Sequence, residues 1–175
     1  GNIIAYLEMI AETFRLYAGE KEIKLIFYSD ISVREMDFVP AYIDKIVCNL
    51  LSNAIKHTEA GGKIDFIVSK GARPETICIR ITDTGEGIPS EELERIFDFF
   101  YQSPQSRNTS GTGIGLAFTK MMVEKMKGKI EVESQLGQGS VFTVILPLKN
   151  RQLPHILPLK EDEKPFSAFM ESQNV

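Results

Sequence analysis

The sequence is short of the features that announce a scaffold, a membrane anchor or a nucleic-acid binder. It has two cysteines and two histidines in 175 residues. No apolar run approaches the ~18 residues of a membrane span. So few cysteines exclude a disulfide framework, and no spacing fits a metal site. Cys48, in an apolar helical pattern, and Cys78, in a strand pattern, read as plain buried thiols of a cytosolic protein. No charged-then-apolar leader opens the chain. It starts Gly1-Asn2, which reads as a piece of something longer. Positive charge is also scarce: 20 Lys and Arg against 24 Asp and Glu give a net charge of −4. That sign leaves no electrostatic footprint for nucleic acid or an anionic membrane. Any phosphate must be gripped by a few placed groups.

What is present is ordinary for a soluble globular domain: 43% apolar and 25% charged residues. Ile3, Leu7, Ile10, Ala11, Phe14 and Tyr17 form a helical stripe that stops at Gly19. Strands are expected over 23–28 and 33–38. Pro40 opens a helix whose Ile43, Ile46, Val47, Leu50, Leu51 and Ala54 face a core. Ile64, Phe66, Val68 and then Ile77, Ile79, Ile81 alternate on either side of a turn at 71–74, as in a hairpin with one buried face. A short acidic helix is expected over 90–95, a polar lid over 101–112, and a helix over 113–127 closed by Gly128. A last strand pair, 129–134 and 140–146, ends at Pro147. The expected fold is α+β, with a mixed, mostly antiparallel sheet and helices on one face. Residues 150–175, with three prolines, read as a C-terminal linker or tail.

Three constellations carry chemistry. Asn49 and Asn53 lie four apart on one helix face, with Lys56 on the same side. Such a face suits Mg²⁺ and phosphate, though the pair alone also describes a solvated polar face. Asp83 follows a buried strand and enters Gly85-x-Gly87, where a carboxylate can accept from an exocyclic amine; an Asx-type turn is the alternative. Gly111-Thr112-Gly113-Ile114-Gly115-Leu116 runs into a helix, as phosphate loops do. It lacks both the strand that a dinucleotide fold needs before it and the Lys of a Walker loop, so a flexible hinge fits equally.

In this order and at these intervals, the three resemble the ATP-binding catalytic domain of bacterial sensor histidine kinases. Those domains share a superfamily with type II topoisomerases, ninety-kilodalton chaperones and MutL-type repair proteins. Asn49 to Lys56 resembles the N box, Asp83 to Ile88 the first glycine box, Phe97-Asp98-Phe99-Phe100 the F box, and Gly111 to Leu116 the second glycine box. Residues 137–142 fit the usual end of such domains. The resemblance covers about residues 20–148 and implies a two-layer α/β sandwich of the Bergerat type over 20–149. Residues 1–19 would then be a helix continuing from an absent phosphoacceptor hairpin.

The resemblance also implies roles. Asn53 would coordinate Mg²⁺ on the ATP phosphates, with Asn49 lining the same face and Lys56 reaching a phosphate. Asp83 would accept from the adenine amine in a pocket shaped by Gly85, Gly87 and Ile88. Gly111, Thr112, Gly113, Gly115 and Leu116 would form the lid's phosphate end, with Arg107 as a clamp. His57, Phe97, Phe100 and Thr143 complete the implied nucleotide contacts; His57 also reads as a surface histidine at a helix end. ATPase relatives carry a Glu one turn before the Mg-binding Asn. Here that place is Asn49, which cannot accept a proton from water. A kinase donating to an external histidine is therefore expected, in two-component signalling. Neither His57-Thr58 nor His155-Ile156 looks like a phosphoacceptor box, so the chain should not label itself. Its implied partners are the phosphoacceptor hairpin of its own parent chain or dimer mate and a downstream receiver domain, in the cytoplasmic part of a membrane-attached parent. The F-box aromatics either pack the lid or dock the phosphoacceptor helices. Other readings are a degenerate nucleotide-binding scaffold, an ATPase of the same superfamily, or a serine kinase of the anti-sigma type.

Overall fold

In the computed structural model, residues 1–32, 34–101 and 115–148 are described. Helix α1, Ile3–Glu20, is opened by Asn2, whose side-chain oxygen accepts from the N–H of Ile4 and Ala5. Its buried stripe, Ile3, Leu7, Ile10, Ala11 and Phe14, lies in the common core. The helix runs through Gly19 and is stopped by Glu22, held at φ 60°. Ile23 N–H then reaches Ala18 O and Glu22 N–H reaches Gly19 O, the paired bonds of a Schellman ending.

Strand β1, Lys24–Ser29, is followed by helix α2, Pro40–His57, with Pro40 at its start. Strands β2, Lys63–Lys70, and β3, Thr76–Asp83, form the expected hairpin. Helix α3, Gly115–Lys125, precedes β4, Lys129–Gln135, and β5, Gly139–Pro147. The five strands lie in the order β1-β2-β3-β5-β4, with β1 and β2 parallel and the other pairs antiparallel. Ile64, Phe66, Val68, Ile77, Ile79, Ile81, Phe142, Val144 and Leu146 share one buried face, against which the helices pack. The opposite face is only partly covered. This is the α+β sandwich with helices on one face.

Three expectations fail here. The strand over 33–38 is absent among its described residues. Glu35 instead bridges to Asn2, Arg34 O accepts from Ile3 N–H, and Met36 N–H donates to Gly1 O. The start of the chain takes those backbone partners, so β1 finds its neighbour in β2 across the α2 crossover. The helix over 90–95 is a series of turns closed by three-residue bonds, such as Glu92 N–H to Pro89 O and Arg95 N–H to Glu92 O. Ile96 alone among residues 90–98 is buried, so no apolar stripe supports a regular helix. Cys78, finally, is half-buried on the open face, whereas Cys48 is fully buried.

Candidate nucleotide site

Residues 49, 53 and 57 recur every four positions along one stripe of α2. Both ends of that stripe are anchored. At one end Asn49 Nδ2 lies 3.3 Å from Thr119 Oγ1 and 3.5 Å from Gly115 O, which joins α2 to the first turn of α3. At the other end the His57 carbonyl accepts from Glu86 N–H, and His57 Nδ1 lies 3.0 Å from Glu86 Oε1. Asn53 stands between them, half-buried and without a hydrogen-bond partner among the described residues. Lys56, one residue before the second anchor, is exposed.

Asp83 ends β3 and is 4% exposed. Its Oδ1 accepts from Gly85 N–H at 2.9 Å, and Ser140 N–H is a second donor. Burial pushes its carboxyl above the ordinary range, while those two N–H groups and His57 pull the other way. The turn beyond it has no room for side chains at its two glycines. A Cβ on Gly85 would meet the His57 carbonyl, and one on Gly87, at φ 74°, would meet the Gln135 carbonyl. Ile88 is half-buried and donates from its N–H to Ser134 Oγ at 2.7 Å. Ser134 in turn donates to Gly139 O and contacts Ser140 Oγ at 2.8 Å. The start of β5 and the end of β4 thus buttress the turn.

Around this cleft Phe97 packs edge-on to Phe142, with Lys120 Nζ 5.4 Å from its ring centroid. Gly115 and Leu116 begin α3, exposed and half-buried respectively. Two expected contacts lie elsewhere. Thr143 alternates with the buried Phe142 and Val144 and so points from the open face of the sheet, in register with Arg80 and Glu131. Phe100 is 73% exposed, at φ 65°. Arg107, Gly111, Thr112 and Gly113 lie outside the described residues. Sequence reasoning gave no role to Glu86, Ser134 and Ser140. A cavity of about 280 Å³, lined by Ile31, Arg34, Lys70, Arg73 and Leu148 among others, sits at the opposite end of β3 from Asp83.

A buried carboxylate fixed at a strand end, beside an amide-bearing helix face and the start of a second helix, has the chemistry that suits a flat polar ligand with an anionic end. The family model of the histidine kinase-, DNA gyrase B- and HSP90-like ATPases matches residues 39–150, which hold all of these groups. The chain belongs to this ATPase family. Within it, the chain is 42% identical over 117 residues to the sensor histidine kinase RcsC of Escherichia coli (strain K12), covering 66% of this chain and 12% of RcsC. The chain therefore spans only about an eighth of that relative. The solved catalytic domain of histidine kinase ThkA superposes with a TM-score of 0.72 at 26% identity, over 85% of this chain and 94% of that domain. Full-length ShkA in complex with AMPPNP gives 0.73 at 28% identity, over 84% of this chain and 30% of ShkA. The family resemblance and the sandwich fold are both borne out.

Proposed function

We propose that this ATPase-family domain binds Mg–ATP and donates the γ-phosphate to a histidine on a separate helical hairpin, as the catalytic part of a sensor histidine kinase. The observation that carries this is Asp83. Its buried carboxylate is held by Gly85 N–H at the mouth of a cleft whose other wall is the Asn49–Asn53–His57 stripe. In that reading Asp83 accepts from the adenine amine, and Gly85 and Gly87 let the purine lie against backbone. Lys56 reaches a phosphate, and Asn49, already engaged with α3, lines the wall. The sequence similarity to RcsC and the ShkA complex with AMPPNP support the same assignment.

The donor set suits Mg²⁺. Asn53 offers an amide oxygen with no other partner among the described residues, and Mg²⁺ takes few protein ligands when phosphate oxygens supply the rest. Such an ion neutralises charge on the transferred phosphoryl group. The chain's own residues do the positioning, and none of them activates water, because an amide occupies position 49. The γ-phosphate is thereby kept for an external nucleophile. That nucleophile belongs to the hairpin of the parent chain or its dimer mate, which α1 follows, and a receiver domain then takes the phosphoryl group. We place the domain on the cytoplasmic side of its parent; no helix among the described residues is long and apolar enough to cross a membrane.

Calorimetry with ATP and Mg²⁺ beside Asp83→Asn tests the pocket, and transfer of label to a supplied hairpin tests the chemistry. Micromolar binding, about −6 to −8 kcal/mol, weakened by ~1.5–3 kcal/mol in the variant, is the expected result. Failure of both proteins to bind, or steady phosphate release without a hairpin, overturns the reading.

A further inference from the structure

Glu86 occupies the variable place between the two glycines of the turn, yet it makes three contacts that bind this turn to its surroundings. Its N–H donates to the His57 carbonyl at 3.4 Å, its carbonyl accepts from Gly137 N–H at 2.8 Å, and its Oε1 lies 3.0 Å from His57 Nδ1. The first and third contacts reach the same residue, the last of α2. Between Glu86 and Asp83 lies Gly85, whose N–H sets the direction of the Asp83 carboxylate and whose Cα side faces the His57 carbonyl. A displacement of Glu86 relative to His57 is therefore passed through one residue to Asp83.

We propose that the His57–Glu86 pair is a positioning clasp: it holds the 84–87 turn against the end of α2 and so aims Asp83, which sets discrimination for adenine over guanine. The proposal rests on the reading of Asp83 as the acceptor for the adenine amine. Guanine presents a carbonyl where adenine presents that amine, so a carboxylate in the right direction attracts one base and repels the other. A carboxylate free to swing loses that contrast. The pair itself is half open to water, with side-chain exposures of 30% and 53%. A pair so exposed adds little to global stability. Its effect is local, and this distinguishes the clasp from a merely structural contact.

The test measures affinity for Mg–ATP and Mg–GTP, with melting temperature alongside, in wild type, Glu86→Ala, Glu86→Gln, His57→Ala and the double alanine variant. A Gln at 86 keeps an acceptor oxygen for a hydrogen on His57 Nδ1. The clasp predicts that Glu86→Ala weakens ATP by ~5–10-fold, leaves GTP nearly unchanged and barely moves the melting temperature. Glu86→Gln should stay within about twofold of wild type, and the double variant should be no worse than either single one. If Glu86→Ala binds both nucleotides as wild type does, the clasp is wrong. Equal loss of ATP and GTP, unrescued by Gln, also overturns it, as does a His57→Ala loss that adds fully to that of Glu86→Ala. A wild-type chain that binds no ATP removes the underlying reading instead, and the clasp with it.

Discussion

Asn49 and Thr119, seventy residues apart in sequence, meet at 3.3 Å and join the Asn49–Asn53–His57 stripe of α2 to the first turn of α3. Thr119 is fully buried and also donates from its hydroxyl to Gly115 O at 2.8 Å. One hydroxyl thus closes the helix start internally and receives the neighbouring helix's amide. The arrangement gives Asn49 a fixed rotamer, and it ties the segment that enters α3 to the wall of the cleft.

Thr119→Val keeps the shape and removes the hydroxyl, leaving Asn49 Nδ2 with only its 3.5 Å approach to Gly115 O. We expect about 1 kcal/mol of lost stability and a few-fold weaker ATP binding, both largely restored in Thr119→Ser. Urea titration and calorimetry on the two variants check this; unchanged binding in Thr119→Val would separate the α2–α3 junction from the site.

The glycines of the β4–β5 turn are not equivalent. Gly137 (φ 78°) faces open space, whereas a Cβ on Gly139 (φ 99°) would meet the Asp83 carbonyl. Gly137→Ala should therefore cost only the left-handed backbone penalty, about 1 kcal/mol, with ATP affinity unchanged. Gly139→Ala should cost more than 2 kcal/mol and lose nucleotide, because the clash falls on Asp83, the proposed acceptor for the base. Equal effects at the two positions would argue against close packing of β5 on Asp83.

How far this site was legible in the sequence follows from the range of each signal. Asn49, Asn53 and Asp83-x-Gly85-x-Gly87 are local patterns, and helical spacing or turn chemistry reads them directly. Glu86, Ser134 and Ser140 act across tertiary contacts to His57, Ile88 and Asp83 that no spacing reports. Thr143 was misassigned although strand parity speaks against it, since Phe142 and Val144 are plainly the inward residues. The two lost elements failed for tertiary reasons: residues 34–36 bond to the chain's first three residues, and residues 90–98 bury only Ile96. Helix ends misled as well. Glu22 and Lys127, both at φ 60°, take the left-handed place expected of glycine, while Gly128 is required because a Cβ there would meet the Ile145 carbonyl.

Asp83 should set stability against function. In the unfolded chain it titrates near ~3.9, and burial raises that value in the folded state. Between the two values the folded protein holds more protons than the unfolded one, so this group's contribution to stability falls as pH rises through that window. Above the window the buried charge is a standing cost. Asp83→Asn should thus be more stable than wild type by about 0.5–1 kcal/mol at pH 7.5, with the gain shrinking as pH falls towards ~4, while ATP binding weakens by ~1.5–3 kcal/mol. Urea titrations at both pH values decide it. A variant equally destabilised at both would mean that the N–H groups of Gly85 and Ser140 outweigh the cost of burial.

The exposed aromatics offer the last test. Phe97 turns inward to Phe142, and Tyr101 lies under Arg95, 5.0 Å from its ring centroid to the guanidinium carbon. Phe99 and Phe100 remain 53% and 73% exposed, their rings 6.4 Å apart. A bulky residue at φ 65° with its ring in water stabilises nothing within the domain, and left-handed backbone costs a non-glycine residue about 1–2 kcal/mol. Glycine relieves that strain but gives the unfolded chain more freedom, by ~0.4–1 kcal/mol. Phe100→Gly should therefore leave stability within about 1 kcal/mol of wild type, or raise it. ATP affinity should not change, because the ring stands clear of Asp83 and the α2 stripe. If this pair docks the phosphoacceptor helices, transfer to a supplied hairpin should fall by ~10-fold or more, and Phe99→Ser should do the same. Normal transfer by both variants would assign the docking surface to another face; lost ATP binding would return Phe100 to the pocket.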